Sequence, residues 1–194
     1  MTDIDNKSPV VFLDRDGTLN IDTEYIGTPE GFTLFDGAAL GVKRLNDAGV
    51  KAMVVTNQSG LGRGYFTEAD LKAVNDRLEE ILLEEGAAKL DGIYYCPHHP
   101  DDNCKCRKPE TGLVEQASSQ HAIDMGRAFV IGDKESDILL AKNIGAKGIL
   151  ILTGHGEITL GELKEKEGAV TPDFVANNME DATKWILKEL EVLS

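Results

Sequence analysis

Long apolar runs are missing from this chain: nowhere do about 18 consecutive residues stay apolar, which excludes a membrane-spanning helix on sequence grounds. Basic residues are scarce as well. Lys plus Arg number 20 against 34 Asp plus Glu, a net charge of −14, and a field of that sign slows the approach of a polyanion. DNA and RNA are therefore not expected partners, although small anions stay open wherever a few cations gather. The N-terminal Met1 to Lys7 lacks the apolar core of an export signal and carries two aspartates ahead of its lysine. A soluble, unexported protein is expected. Cysteine is nearly absent: three residues, an odd number, make a poor disulfide framework, and a reducing cytoplasm suits them. Pro/Ser-rich linkers, internal repeats and low-complexity tracts are missing too. The 194 residues fall inside the about 100–200 of a compact domain, so residues 1–194 are expected to form one domain, and a monomer.

What is present is a recurrence of short apolar, β-branched runs: Val10 to Leu13, Ala52 to Val55, Ile93 to Tyr95, Ala128 to Ile131 and Gly148 to Leu152. Each reads as a buried strand. Helical spacing separates them, most plainly at Leu71, Val74, Leu78 and Leu82, opened by Thr67 with Asp70 three residues on and closed by Gly86. Strands that are apolar throughout, rather than alternating, need helices on both faces of a parallel sheet, so a doubly wound α/β fold is predicted. Its ligand belongs at the carboxyl ends of the strands. Near the C-terminus Met179, Ala182, Trp185, Ile186 and Leu190 repeat at helical spacing, and the lone Trp reads as core packing. Gly156 to Pro172 is charged and polar, a surface helix and loop with little to say about chemistry.

Polar residues concentrate at strand ends. The first strand runs into Asp14-Arg15-Asp16-Gly17-Thr18, the second into Thr56-Asn57-Gln58-Ser59-Gly60, and the fourth into Gly132-Asp133-Lys134-Glu135-Ser136-Asp137. In a parallel sheet these ends share one edge. Carboxylates gathered at a buried strand end are costly unless a cation offsets them, so Asp14, Asp16 and Asp133 point to Mg²⁺. Gly17 permits a sharp turn, Thr56 and the following amides offer neutral donors, and Arg107-Lys108 adds cations. Carboxylate, metal, hydroxyl and lysine together describe phosphoryl transfer, where positioning and charge stabilisation dominate.

These segments, with Arg107-Lys108-Pro109, resemble in order and spacing the four motifs of the haloacid dehalogenase (HAD) superfamily of phosphatases, over roughly Val10 to Thr153. The resemblance implies a Rossmann-like core in which Asp14 is the nucleophile that forms an aspartyl-phosphate. It makes Asp16 the acid that protonates the leaving oxygen and then the base that activates water. It implies Mg²⁺ on the Asp14 carboxylate, the Asp16 backbone carbonyl and Asp133, with Thr56, Asn57 and Lys108 gripping the phosphoryl group. Asp137 is left outside the metal shell, as a helix-start residue or a contact of Lys108.

All three cysteines fall within eleven residues, and Cys96, His98, Cys104 and Cys106 make a CxHx5CxC spacing that suits tetrahedral zinc. His99 is an alternative fourth ligand; the family pattern favours His98. Four protein ligands leave no open position, so this Zn²⁺ in loop 96–106 reads as structural, fixing where Arg107 and Lys108 point. The insert resembles the branch of the superfamily that holds zinc-containing heptose bisphosphate phosphatases and histidinol-phosphate phosphatases.

Neither the gap from Gly17 to Val55 nor that from Gly60 to Arg107 has room for a cap domain of about 50 residues beside its helix and strand, so a capless core is expected. By resemblance, substrate selection falls to Asn20 through Tyr25, including Asp22 and Tyr25, to Asn57, Gln58 and Ser59, to Arg63, and to Arg107 with Lys134. A sugar bisphosphate needs a cation for its second phosphate, which Arg63, Arg107 or Lys134 would supply. The reaction implied is removal of the 7-phosphate of D-glycero-D-manno-heptose 1,7-bisphosphate, on the way to bacterial surface glycans. Histidinol phosphate, with a cationic tail suited to Asp22 and Glu24, is the alternative. A phosphorylation-sensing receiver domain shares the carboxylates, Thr and Lys but needs neither the second aspartate nor the Cys/His loop.

Overall fold

The computed structural model describes residues 7–193; Met1 to Asn6, part of the polar N-terminal stretch discussed above, and Ser194 lie outside the described residues. Along the chain come β1 (Ser8–Leu13), α1 (Ala38–Asp47), β2 (Lys51–Asn57), α2 (Ser59–Gly62), α3 (Glu68–Gly86), β3 (Gly92–Cys96), α4 (Gly112–Gln120), β4 (Ile123–Gly132), α5 (Glu135–Ile144), β5 (Lys147–Ile151), α6 (Gly156–Glu165), β6 (Phe174–Ala176) and α7 (Met179–Leu193). The strands form one six-stranded sheet in the order β3-β2-β1-β4-β5-β6, and every pair is parallel.

The apolar runs are continuous because both faces are covered. Successive side chains of a strand point to opposite faces, so Val11 and Leu13 enter the core shared with α1, α3 and α7. Val10 and Phe12 enter the opposite one, against Leu113 and Val114 of α4 and Leu140 of α5. All four of these strand residues are fully buried. A sheet covered in this way is the doubly wound α/β fold expected from the sequence.

α3 begins with the capping box read from Thr67 and Asp70: the Asp70 N–H donates to Thr67 Oγ1 at 3.2 Å, and the Thr67 N–H donates to Asp70 Oδ2 at 2.8 Å. Its end differs from expectation. Gly86 remains helical, and the left-handed turn falls on Ala87 at φ 49°. Gly86 is needed for packing instead, since a Cβ there would come within 2.9 Å of the Ala39 carbonyl oxygen on α1. Trp185 of α7 belongs to the core, stacked on Phe174 at 5.1 Å and edge-on to Phe129 at 6.1 Å.

One strand escaped the sequence. β6 is three residues long, pairs Val175 with Leu150 at the sheet's edge, and carries no apolar run long enough to stand out. Among the described residues, the segments after β1 and β2 hold only a 3₁₀ turn, α1, α2 and α3 before the next strand. Strand order grows outward from β1 to β3 and then returns to place β4 on the other side of β1. That reversal opens a crevice beyond the carboxyl ends of β1 and β4, where ligands of such sheets bind.

Candidate active site

Asp14 follows β1 directly, its N–H donating to the Ile131 carbonyl at 2.9 Å, so the parallel ladder itself aims this residue at the crevice. Its Oδ1 lies 2.9 Å from Lys108 Nζ, and the same ammonium stands 2.6 Å from Asp137 Oδ1. All three groups are buried. Burial works against the charge on Lys108, but the Asp137 and Asp14 carboxylates outweigh it and hold the ammonium above its ordinary pKa. Asp137 also accepts the Lys134 N–H at 3.1 Å, so it both caps α5 and contacts Lys108.

Asp133 completes the floor. Its Oδ2 accepts the His155 N–H at 2.8 Å and its carbonyl accepts the Thr159 hydroxyl at 2.8 Å. Thr153 donates to the Gly17 carbonyl at 2.7 Å. Thr159, within the 156–172 segment, and Thr153 and His155 just ahead of it therefore support the site, which the polar composition there did not reveal. Gly17, at φ 89°, lets the chain pass directly over Asp133, where a Cβ would run into that carboxylate.

Asp14, Asp133 and Asp137 each offer a carboxylate oxygen within 4.8 Å of the others. Lys108 neutralises one charge of the three. Asp133 Oδ1 is buried without a partner, and burial together with the Asp14 charge pushes the Asp133 pKa up to about 7. A group of hard oxygen donors with an excess of negative charge and an orphaned acceptor fits a divalent cation such as Mg²⁺. Asp137, set aside in the sequence, stands inside this group.

The Asp16 side chain is not part of this group and is held by its own donors. Arg15 forks onto Asp16, Nε to Oδ1 and Nη2 to Oδ2, both at 3.0 Å, while Asn20 Nδ2 donates to Oδ1 at 3.0 Å and Gln58 Nε2 to Oδ2 at 2.7 Å. Burial opposes the charge on Asp16, but the Arg15 guanidinium and the Gln58 and Asn20 donors outweigh it and hold the carboxyl below its ordinary range. Its resting charge is that of a base.

A cavity of about 420 Å³ opens above this floor. It is lined by Asp14, Asp16, Asp22, Glu24, Tyr25, Thr56, Asn57, Gln58, Ser59, Arg107, Lys108 and Lys134, all singled out in the sequence, and also by Gly60 and Ser136. Arg63 is not among them. It is exposed, with its guanidinium 5.9 Å over the Tyr25 ring, outside the pocket wall. Asp22 faces Lys134 at 3.6 Å, and Asn57 is joined to the Lys108 backbone. Glu24 and Tyr25 sit at the mouth with φ of 60° and 51°, a left-handed pair that non-glycine residues rarely adopt, with Tyr25 edge-on to Tyr65 at 4.8 Å.

Cys96, His98, Cys104 and Cys106 converge beside the cavity. Sulfur separations are 3.4 Å for Cys96 and Cys104, 3.2 Å for Cys96 and Cys106, and 3.5 Å for Cys104 and Cys106, and His98 Nδ1 lies 3.2 Å from Cys106 Sγ. A disulfide needs about 2.05 Å. A tetrahedral zinc with bonds of about 2.3 Å has sulfur edges of about 3.8 Å, close to what is seen, so the donor set fits Zn²⁺. His99 is elsewhere, accepting the Asp101 N–H at 3.3 Å.

Residues 105–182 match the HAD-hydrolase-like family model. A D-glycero-beta-D-manno-heptose-1,7-bisphosphate 7-phosphatase of Helicobacter pylori is 46% identical over 161 residues, 80% of this chain and 92% of that one. The chain belongs to the HAD-like phosphatases, in the family of these heptose-bisphosphate 7-phosphatases. The Escherichia coli K12 relative of the same name is 38% identical over 190 residues, 93% of this chain and 95% of its own. Among solved structures, the D,D-heptose 1,7-bisphosphate phosphatase from B. bronchiseptica, complexed with magnesium and phosphate, aligns with TM-score 0.84 at 31% identity, covering 93% of this chain and 99% of that chain. This HAD-like phosphatase thus carries its candidate site at the sheet edge where the doubly wound fold places one.

Besides Thr153, His155 and Thr159, two buried polar residues joined behind Asp16, Arg15 and Asn75, were not singled out in the sequence. Arg15 was quoted only as part of a motif, between two acids. Asn75 lies four residues after Leu71 and three before Leu78, a polar residue on the buried stripe of α3, and that mismatch was a readable signal.

Proposed function

We propose that this phosphatase removes the 7-phosphate of D-glycero-D-manno-heptose 1,7-bisphosphate by way of a phosphorylated Asp14. The observation that carries the reading is a cavity with cations in two roles. Lys108 is pinned against Asp14 at the floor, while Arg107 and Lys134 line the wall, and a buried Arg107 Nη1 has no partner of its own. A sugar with a phosphate at each end suits both. The names of the relatives support the same substrate.

In the first half-reaction an Asp14 oxygen attacks phosphorus in line, the bond from phosphorus to the sugar oxygen breaks, and Asp16 gives that oxygen a proton. In the second, water attacks phosphorus, Asp16 takes the proton of that water, and phosphate leaves as Asp14 is restored. Because Asp16 rests as a carboxylate, it has to be protonated to enter the cycle, and the proton it takes from water in the second half-reaction restores it for the next. Lys108 and the Thr56 hydroxyl meet the charge on the transferring group. Asn57 acts mainly by bracing Lys108, and Gln58 by holding Asp16. Asp14 and Asp133, with the Asp16 carbonyl, would hold Mg²⁺, which supplies charge stabilisation to the phosphoryl oxygens. The Cys96, His98, Cys104 and Cys106 group would hold a structural Zn²⁺ and keep the cysteines reduced in a cytoplasmic setting.

Phosphate release in excess Mg²⁺ from heptose 1,7-bisphosphate, fructose 1,6-bisphosphate and histidinol phosphate tests this, with Asp14→Asn as the blank. The heptose compound should have the highest kcat/KM. A preference for histidinol phosphate overturns the substrate, and an active Asp14→Asn overturns the nucleophile.

A further inference from the structure

Arg15 is the largest fully buried side chain among the described residues. A buried ion pair is poor evidence of stabilisation, because apolar side chains of similar volume often serve as well or better. Its geometry suggests another use. Two of the four donors on Asp16 come from one planar guanidinium, and the third engaged nitrogen, Nη1, donates to Asn75 Oδ1 at 2.9 Å. The Phe32 ring lies beside the guanidinium at 6.0 Å. Asn75 is 9% exposed, in the middle of α3, a helix that contributes no residue to the cavity wall.

We infer that Arg15 and Asn75 are positioning residues for the acid/base carboxylate: Asn75 anchors one side of the Arg15 guanidinium so that its opposite edge presents a fixed fork to Asp16. Three constraints meet in this arrangement. Arg15 is adjacent to Asp16 in sequence and so cannot fix it without an outside reference point. α3 supplies that point, 60 residues away. The fork needs Nε and Nη2 coplanar, which guanidinium guarantees and a lysine ammonium cannot reproduce. With both Asp16 oxygens held, the carboxylate keeps one orientation toward the cavity while Gln58, which itself lines the cavity, remains the partner nearest to substrate.

The inference rests on the reading that Asp16 is the acid/base, and the test separates the two. Protonation matters for a poor leaving group such as a sugar oxygen and little for p-nitrophenolate, so kcat/KM is measured on heptose 1,7-bisphosphate and on p-nitrophenyl phosphate. Asn75→Leu keeps the volume and the helix but removes the acceptor; Asn75→Asp keeps an acceptor for Arg15. Asn75→Leu should lose about 10- to 100-fold on the sugar phosphate, the scale of a carboxylate displaced by up to 1 Å. It should lose far less on the aryl phosphate, with KM and the half-saturating Mg²⁺ concentration unchanged, and Asn75→Asp should restore the wild-type ratio. Should Asn75→Leu fail to fold, Arg15→Lys carries the same expectation. Equal losses on both substrates, or no loss on either, overturn the relay. Asp16→Asn is the control: if it shows no leaving-group dependence, the acid/base assignment fails; if it does and the relay variants do not, only the relay fails.

Discussion

Asn57 and Lys108 are tied amide to amide: Asn57 Nδ2 donates to the Lys108 carbonyl at 3.2 Å, and the Lys108 N–H donates back to Asn57 Oδ1 at 3.0 Å. The pair joins the end of β2 to the chain that leaves the Cys/His cluster, and it sets where the Lys108 ammonium stands between Asp14 and Asp137. Asn57→Ala strands the Lys108 backbone groups in a half-buried place, at a cost of about 1–3 kcal/mol. Urea unfolding should show a lower midpoint with an unchanged slope. Phosphate release should fall on the order of 100-fold, because the ammonium is no longer held in register. A lowered midpoint with wild-type kcat would show that the brace does not position Lys108.

Gly17 answers a different constraint, with φ at 89° and Asp133 directly beneath. In Gly17→Ala the left-handed backbone alone costs about 1–2 kcal/mol, and the new Cβ must displace the Asp133 carboxylate. Mg²⁺ raises the melting temperature of the native protein under the proposed ligand set; in Gly17→Ala that rise should vanish along with activity. A thermal melt with and without Mg²⁺ decides it, and an undiminished shift would remove Asp133 from the metal site.

The charge on the floor predicts a pH effect with a definite sign. Burial and the Asp14 charge push Asp133 up to about 7 from an ordinary 3.8. The folded chain then holds a proton that the unfolded chain has released, so without metal the contribution of this one group to stability is full below about pH 4 and is lost as pH rises through about 7. Mg²⁺ competes with that proton. Its stabilising effect should therefore be small at pH 5 and grow toward pH 8. Denaturant midpoints measured with and without Mg²⁺ across this range should diverge upward, and parallel curves would contradict the arrangement.

How much of this was legible in the sequence follows from how local each signal is. Strand runs such as Val10 to Leu13 are read directly because burial on both faces leaves no polar residue to interrupt them. The Thr67–Asp70 box spans four residues and is equally direct. Asp14, Thr56 and Asp133 could be gathered at one edge because parallel pairing sends every strand end the same way. Partnerships were harder. Nothing in the residues themselves says that Arg15 spans to Asn75, that Asp133 is held from behind by His155 and Thr159, or that Arg63 packs on Tyr25 instead of entering the cavity. Each depends on how a helix or loop lies over the sheet. β6 failed for a related reason, since three residues at an edge are a strand only by virtue of β5 beside them.

The Cys/His cluster supports the last prediction. Cys96 ends β3 and is fully buried in the core on the α4 and α5 side of the sheet, with Cys104 and Cys106 packed against the same core. A metal there would be anchored to the sheet on one side and to the loop 97–106 on the other. Without it, burial pushes the Cys96 thiol up, while hydrogen bonds from the Cys106 backbone and neighbouring thiols overcome desolvation and bring Cys104 down to about 7, so the cluster cannot share one charge state. Zinc would resolve that conflict by taking the cysteines as thiolates, a binding worth about 10–16 kcal/mol in small zinc domains. Arg107 and Lys108 follow Cys106 immediately, so loosening the cluster displaces the cations of the cavity while every catalytic side chain stays chemically intact. Protein stripped of zinc by a chelator, desalted and assayed in excess Mg²⁺ should lose most of its activity, and Cys104→Ser should do the same. Zinc content by elemental analysis must fall in step. Full activity in protein shown to be zinc-free would mean that the loop holds Arg107 and Lys108 in place through its own packing.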